Sequence, residues 1–398
     1  MQNDNPVLFI EINETNYIFV AGIYDDNHNL KILETIITPT EGMNKNKFDD
    51  INNASKIIKK NVELIEKKIN HIFKYTTIII DNFECTCVNV SGYKKLNGSQ
   101  VRKENISYIL NSLKSAVSQN EKQKTILHIF NSRNILDGTV IENLPIDLFG
   151  DFYNHELSFF LIKNNDLKNI RQIFSKSNLN IKKIFLKSFS EGSQLINENE
   201  IKTFFKIKIK KDTSTISYFD ESSFRFLEQF NFGTNIILKD VEKICSLSSE
   251  TIKNIIHDGF LKNKIFNDND LLDKKYFKNK NYRKIKKRLI LDIINARIEE
   301  IVNLIIYKNI NFKFFNENKV KIYLIIQDLL VSDNFKENFV SFFSINADNE
   351  VELVDDFKVE ETILNTSSLL TYGWKKEAVP ITQTKKSLIT RIFMWIFD

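Results

Sequence analysis

The sequence predicts an α/β chain in which one sheet plan is used twice, and three observations carry that expectation. The chain opens on short β-rich runs, VLFIEI, YIFVAGIY and LKILETIIT, separated by the turn-rich INETN and DDNHN. Apolar residues at helical spacing follow, Ile57, Ile58, Val62, Ile65 and Ile69, and then the buried-strand run YTTIIID, which gives strand, helix, strand. Beyond Ile201 the runs IKTFFKIKIKK, STISYFD and FRFLEQFNF repeat the three-strand opening.

Between the two strand groups lies a smaller α+β unit. CTCVNVS reads as a strand, KENISYILNSLKSAV as a helix with Ile106, Ile109, Leu110 and Leu113 on one face, KTILHIFNSRNILDG as strand and turn, and HELSFFLIK as the closing strand. DLKNIRQIFSKS and IKKIFLKS add a helix and a strand to the first lobe. After Gly233 the pattern turns helical: LKDVEKICS, SSETIKNIIHDGF, and one long helix expected from about Tyr282 to Tyr307 whose N-terminal half, KNKNYRKIKKR, is basic. Such a run is ordinarily a solvated face; the alternative is a docking surface for an acidic partner. Tyr276, Phe277 and Tyr282 among these lysines also admit a nucleic-acid reading.

Composition narrows the classes. A net charge of +5 over 398 residues is mild for a nucleic-acid binder. The three cysteines, Cys85, Cys87 and Cys245, cannot all pair and form no CxxC, which fits a reducing cytoplasm. The five histidines stand in no metal-ligand spacing, so no metal is expected. The N-terminal MQNDNPVLFIEI lacks the basic start and long apolar run of a signal peptide.

Residues 385–398, KKSLITRIFMWIFD, are of a different kind. At about 100° per residue, Leu388, Ile389, Ile392, Phe393, Trp395, Ile396 and Phe397 share one arc, with Lys385, Lys386 and Arg391 placed to reach anionic head groups. The run is shorter than the roughly 20 apolar residues that span a bilayer. Docking on the protein's own core is the ordinary meaning of such a stripe. Residues 374–384, WKKEAVPITQT, carry Pro380 and no apolar period, and so read as a tether that holds the helix away from the body and toward lipid.

Taken in order, these pieces resemble FtsA, the bacterial cell-division relative of actin. ILHIFNSRNILDGTVIENLP is similar to the family's strand, DG turn and Asn-Pro segment, with Leu144 inserted between Asn143 and Pro145. HELSFFLIKNNDLKNIRQIFSKSNLNIKKIFLKSFSEG, FNFGTNIILKDVEKICSLSSETIKNII, RLILDIINARIEEIVNLI and LLTYG resemble the family's successive segments, and the amphipathic tail completes the plan. The resemblance implies an actin-like (ribonuclease H-like) two-lobe α/β fold with a small inserted α+β subdomain and a C-terminal amphipathic helix. The boundaries it implies are 1–83, 165–200 and 350–373 for the first lobe, 84–164 for the insertion, 201–231 and 300–349 for the second lobe, and 232–299 for its helical subdomain. A linker over 374–386 and a membrane helix over 387–398 finish the chain.

The family's ATP hairpins are degenerate here. Where the first should read like DIGTTK the chain has EINETN, so Glu11, Asn13, Glu14 and Thr15 fill the phosphate turn. Where the second should read like DIGGGTTD it has KIKKDTST, with Asp212, Thr213 and Ser214 at the turn. The adenine-side Gly-Gly falls near Ile326 and Gln327, and no GG or GxG occurs in the chain. Glycines at such turns let backbone N–H groups approach an anion, so no cofactor is expected although ATP is the family ligand. Lys208 and Lys210 alternate with Lys211 and read as a solvated strand edge. The resemblance further implies binding of the FtsZ C-terminal peptide near Lys286, Lys287, Arg288 and Arg297, self-association through the insertion, no nucleic acid, and a place on the cytoplasmic face of the inner membrane at the division site. An active ATPase or sugar kinase of the same superfamily is the alternative, against which the missing glycines count.

Overall fold

The computed structural model describes residues 5–378 apart from 45, 82, 259–265, 268, 278–280, 317–319, 328–332 and 346–348. The chain divides into two compact units. One is Met1–Lys187 with Glu221–Arg225 and the chain from Ile363 onward, and the other is Ser188–Asp220 with Phe226–Thr362.

In the first unit β1 (Val7–Ile12), β2 (Asn16–Tyr24) and β3 (Leu30–Pro39) form the expected antiparallel meander, followed by a two-residue ribbon, β4 (Met43–Asn44) with β5 (Lys47–Phe48). Helix α1 (Ile51–Ile69) starts where the Asp50 side chain accepts the Asn53 N–H and stops at Asn70, whose φ of 51° lies in the left-handed region that asparagine tolerates. Its buried stripe, Ala54, Ile58, Val62 and Ile65, returns the chain to β6 (Tyr75–Ile80), parallel to β1 with Ile10 opposite Ile78. β7 (Cys85–Lys95), α2 (Lys103–Asn120), β8 (Lys124–Leu136), β9 (Thr139–Ile141) and β10 (Phe152–Lys163) then build a separate sheet in the order β7-β10-β8-β9. These elements fall within residues 84–164, and α2 packs Ile109, Leu110 and Val117 on the sheet. After α3 (Asn164–Ser175), β11 (Asn180–Leu186) joins β6 in parallel, so the main sheet is ordered β11-β6-β1-β2-β3.

The second unit repeats that order. After α4 (Lys187–Asn199) come β12 (Phe204–Lys210), β13 (Ser214–Asp220) and β14 (Ser223–Phe230), then α5 (Asn235–Cys245), α6 (Ser249–His257) and α7 (Lys287–Val302), which continues as a π-helical turn over Asn303–Tyr307. α8 (Ile310–Phe315), β15 (Lys321–Gln327), α9 (Asp333–Ile345), β16 (Val351–Leu353) and α10 (Val359–Tyr372) complete the chain. The sheet runs β14-β13-β12-β15-β16, with β15 parallel to β12. Antiparallel first three strands and parallel fourth and fifth, with β1 and β12 central, are the same arrangement in both sheets. Strands with both faces covered need continuous apolar runs, which is how VLFIEI and KIYLIIQ read.

Two expectations are corrected. Residues 282–286 are not helical; the helix begins only at Lys287, because Leu271 and Lys286 bridge as extended chain and the Lys287 N–H donates to the Asp270 carbonyl at 2.8 Å. The lysines of β12 are no solvated edge: β12 lies between β13 and β15, and Lys206 and Lys208 are 1% and 3% exposed.

Candidate functional site

The turn between β1 and β2 is closed on itself by one side chain. Asn13 Oδ1 accepts the Thr15 N–H at 3.0 Å, the Thr15 hydroxyl at 3.1 Å and the Asn16 N–H at 2.8 Å. Asparagine forms such Asx turns because its carboxamide reaches the backbone two and three residues ahead. The amide end of Asn13 donates to Glu11 Oε1 at 2.9 Å, and Lys187 Nζ donates to the same oxygen at 2.7 Å. Glu11 is fully buried and Lys187 nearly so, while Glu11 Oε2 has no hydrogen-bond partner among the described residues. Glu14 and Thr15 stand at the outside of the turn.

The turn between β12 and β13 is closed by main chain instead. The Lys210 N–H donates to the Thr213 carbonyl at 2.9 Å. Its outward carbonyls, Lys210 O and Lys211 O, accept the Thr234 N–H at 3.0 Å and the Asn235 N–H at 2.9 Å, the first donors of α5. Asn235 Nδ2 also donates to Asp212 Oδ1 at 2.8 Å, and the Ser214 hydroxyl donates to the Phe232 carbonyl. Gly233 makes this seat possible, since a Cβ there would lie 2.0 Å from the Lys210 oxygen. Behind the turn, Glu191 of α4 takes Lys206 at 2.5 Å and Lys208 at 2.8 Å, and Asp356 takes Lys208 at 2.6 Å. Two buried ammonium groups are thus balanced by two carboxylates. Glu191, Asp356 and Lys187 were not legible as partners, because each comes from a distant segment with no motif around it.

Of the expected peptide-binding residues, Lys286, Lys287 and Arg288 cluster at the start of α7 and face Asp273 and Asp292 at the long distances of 3.6 and 4.0 Å. Arg297 lies elsewhere on the helix and is occupied by Asp240 of α5 and Glu300. A cavity of about 520 Å³ opens in the same helical region, lined by Leu247, Thr251, Asn254, Lys275, Phe277 and Arg283 among others.

The expected membrane residues, Lys385, Lys386, Leu388, Ile389, Arg391, Ile392, Phe393, Trp395, Ile396 and Phe397, lie outside the described residues. The first part of the expected tether does not hang free. Trp374 Nε1–H donates to the Ser222 carbonyl at 2.8 Å, Lys376 O accepts the Asn131 N–H at 2.7 Å, and the Ala378 N–H donates to the Ile129 carbonyl at 2.8 Å. After a turn at Lys375 and Lys376, Glu377 bridges antiparallel to Phe130 of β8, and Ala378 joins the core of the inserted sheet. Glu377 pins the segment: His128 Nδ1 lies 2.8 Å from one oxygen and Lys183 Nζ 3.0 Å from the other. Burial opposes this carboxylate, but the hydrogen bond from His128 and the charge and hydrogen bond of Lys183 outweigh it and hold its pKa at about 2. Burial pushes His128 below its ordinary 6.5 despite Glu377. A neutral imidazole that donates from Nδ1 and accepts the Leu186 N–H on Nε2 at 3.4 Å satisfies both contacts.

Two sheets of this order, each opening on a hairpin before a helix and parallel strands, are the plan of the actin-like (ribonuclease H-like) fold. No family model matches the sequence. Among solved structures, a chain of the PilM–PilN type IV pilus biogenesis complex aligns over 94% of this chain and 98% of its own, with a TM-score of 0.52 and 10% identity. MreB5 of Spiroplasma citri bound to AMPPNP aligns over 92% and 96%, with a TM-score of 0.46 and 9% identity. Among curated sequences, the cell division protein FtsA of Buchnera aphidicola subsp. Schizaphis graminum is 22% identical over 309 residues, 76% of this chain and 73% of its own. The resemblance read from the sequence is borne out: over those 309 residues the chain is similar to FtsA.

Proposed function

We propose that this protein is a cell-division adaptor that tethers the FtsZ ring to the inner membrane and works without nucleotide turnover. The observation that carries the reading is the homology to FtsA over 309 residues. The tail segment 385–398 supplies the lipid contact, worth on the order of 1.5–3 kcal/mol for each large apolar side chain fully buried. Lys385, Lys386 and Arg391 add attraction to anionic head groups. The cavity beside α6, with Lys286, Lys287 and Arg288 near it in the chain, receives the FtsZ C-terminal peptide, where a positive field speeds association and makes it salt-sensitive. The inserted unit makes head-to-tail contacts between copies, and a filament gains avidity from many weak tails.

ATP, the ligand of the family, does not fit the two turns. A phosphate needs convergent unspent N–H donors; those of Thr15 and Asn16 in the first turn are taken by Asn13, and in the second the Lys210 N–H is taken by the Thr213 carbonyl. Glu14 brings a like charge beside Thr15. Calorimetry with Mg-ATP is expected to give no saturable binding tighter than about 10 μM, near −7 kcal/mol. The adaptor reading is tested by co-sedimentation with FtsZ and by flotation with liposomes. Wild-type protein floats and Trp395→Glu stays soluble; equal flotation of the two, with the fold intact, overturns the membrane role of the tail.

A further inference from the structure

The amphipathic tail has one apolar arc, and the first unit has one open apolar groove described at its sheet. A cavity of about 590 Å³ lies at the N-terminal ends of β1 and β6, lined by Val7, Ile72, Phe73, Tyr75, Leu370 and Lys182. Ile72 is 77% exposed and Tyr75 62% exposed there, so large apolar surface faces water. Such patches mark a contact that the isolated body leaves unmade.

We propose that this groove is the resting berth of the chain's own C-terminal helix, residues 387–398, and that the tail exchanges between the groove and the membrane. The inference rests on the reading of that tail as a lipid anchor and adds its regulation. Where the described chain ends is the first argument. Glu377 is pinned to Lys183 of β11, and the next residue back along that strand, Lys182, lines the groove. The last described residues, Glu377 and Ala378, are bonded to β8, and the tail sets out from beside Lys183, one residue from the groove-lining Lys182. Length is the second argument. Residues 379–386, between the pinned segment and the helix, reach roughly 26 Å when extended, and β11 itself is only seven residues long. The third is chemistry: the arc of Leu388, Ile392, Phe393, Trp395 and Ile396 needs an apolar cover in water, and the groove offers Val7, Leu8, Ile72, Phe73, Tyr75 and Leu370 among polar residues that include Lys74 and Lys182. Both covers take the same arc, so the tail uses one at a time. Parking would hold the protein off sparse or neutral lipid and reserve binding for surfaces that compete successfully, which are anionic and crowded with further copies.

The chain has two tryptophans, so Trp374→Phe leaves Trp395 as the reporter of the tail. In lipid-free buffer its emission is expected at the short wavelengths of a buried indole. Adding Ile72→Asp and Tyr75→Asp, both at exposed positions, should shift that emission to the red. It should also tighten binding to phosphatidylethanolamine–phosphatidylglycerol vesicles by about tenfold, the factor removed when about nine-tenths of tails had been parked. Identical emission and identical vesicle affinity with and without the groove substitutions overturn the proposal. A blue emission that is lost on dilution assigns the groove to the tail of another copy and overturns it as an intramolecular contact. A red shift without vesicle binding by either protein sustains the parking and removes the membrane anchor, so the two readings fail separately.

Discussion

The turns that open the two sheets occupy equivalent places in one strand plan and are closed by unlike means. At the first, a single carboxamide, Asn13, takes the N–H groups of Thr15 and Asn16. At the second, the backbone of α5 is seated on the carbonyls of Lys210 and Lys211, over a glycine that admits the contact. The charges behind them are also reversed. A buried acid on β1 is neutralised by Lys187, whereas buried lysines on β12 are neutralised by Glu191 and Asp356. A hairpin of this kind can be closed either by a side chain that occupies its N–H groups or by main chain seated on its carbonyls. The first kind of closure sits on one residue, and the second is spread through the fold.

That contrast predicts graded responses. Glu191→Gln should do most damage, because it leaves two buried ammonium groups to the single carboxylate of Asp356; a loss of about 3–5 kcal/mol is expected from breaking such a network, read as a fall in urea midpoint. A loss below about 1 kcal/mol would mean that Asp356 and water carry the lysines unaided.

Acid comes next and acts on the first unit. Glu377 has a folded pKa of about 2 against an ordinary 4.5, so its contribution is complete above 4.5 and is lost as pH falls toward 2. That contribution is on the order of 3 kcal/mol. His128, depressed below 6.5, works in the same direction: the unfolded chain takes up that proton first, so stability begins to fall below 6.5. Trp374 fluorescence in a Trp395→Phe protein should report release of the bridged segment over this window. A signal still flat below about pH 2, where Glu377 is protonated in the folded chain as well, would show that Glu377 does not hold it.

Gly233→Ala should cost about 1–3 kcal/mol or more by overpacking against the Lys210 carbonyl, and hydrogen exchange should quicken at Thr234 and Asn235. Normal protection there would show that α5 does not depend on this seat. Asn13→Gly should be mildest, about 1 kcal/mol for a turn hydrogen-bond set partly open to water. It sharpens the comparison most: freeing Thr15 and Asn16 should still yield no ATP binding, since the second turn remains closed. Micromolar ATP binding by that variant would place the whole block on one asparagine.

The fold was legible because strand alternation, turn residues and helix period are local, and the repetition of three runs after Ile201 exposed the second sheet before any contact was known. The site was legible only as absence. EINETN and KIKKDTST show that glycines are missing, but that Asn13 plugs its own turn is a three-dimensional fact. So is the burial of Lys206 and Lys208, whose alternation with isoleucine looked like an ordinary edge. The tether misled for a related reason. WKKEA has no apolar period because a single bridged segment is held by backbone hydrogen bonds and one carboxylate, neither of which leaves a pattern in the chain. Likewise, Lys287 begins α7 against the usual charge preference of a helix start, so the basic run looked like more helix than exists.

The bridge that Glu377 makes to β8 also changes how the tail can be removed cleanly. Beyond the short reach of β9, it covers β8 at Ile129 to Asn131, where unpaired amides and carbonyls would otherwise lie open to pairing with any extended chain. A protein cut after Ala378 loses the tail and keeps this cover. One cut at Gly373, the apparent end of the body in the sequence, loses both, and its precipitation would report a bared sheet edge, with lipid playing no part.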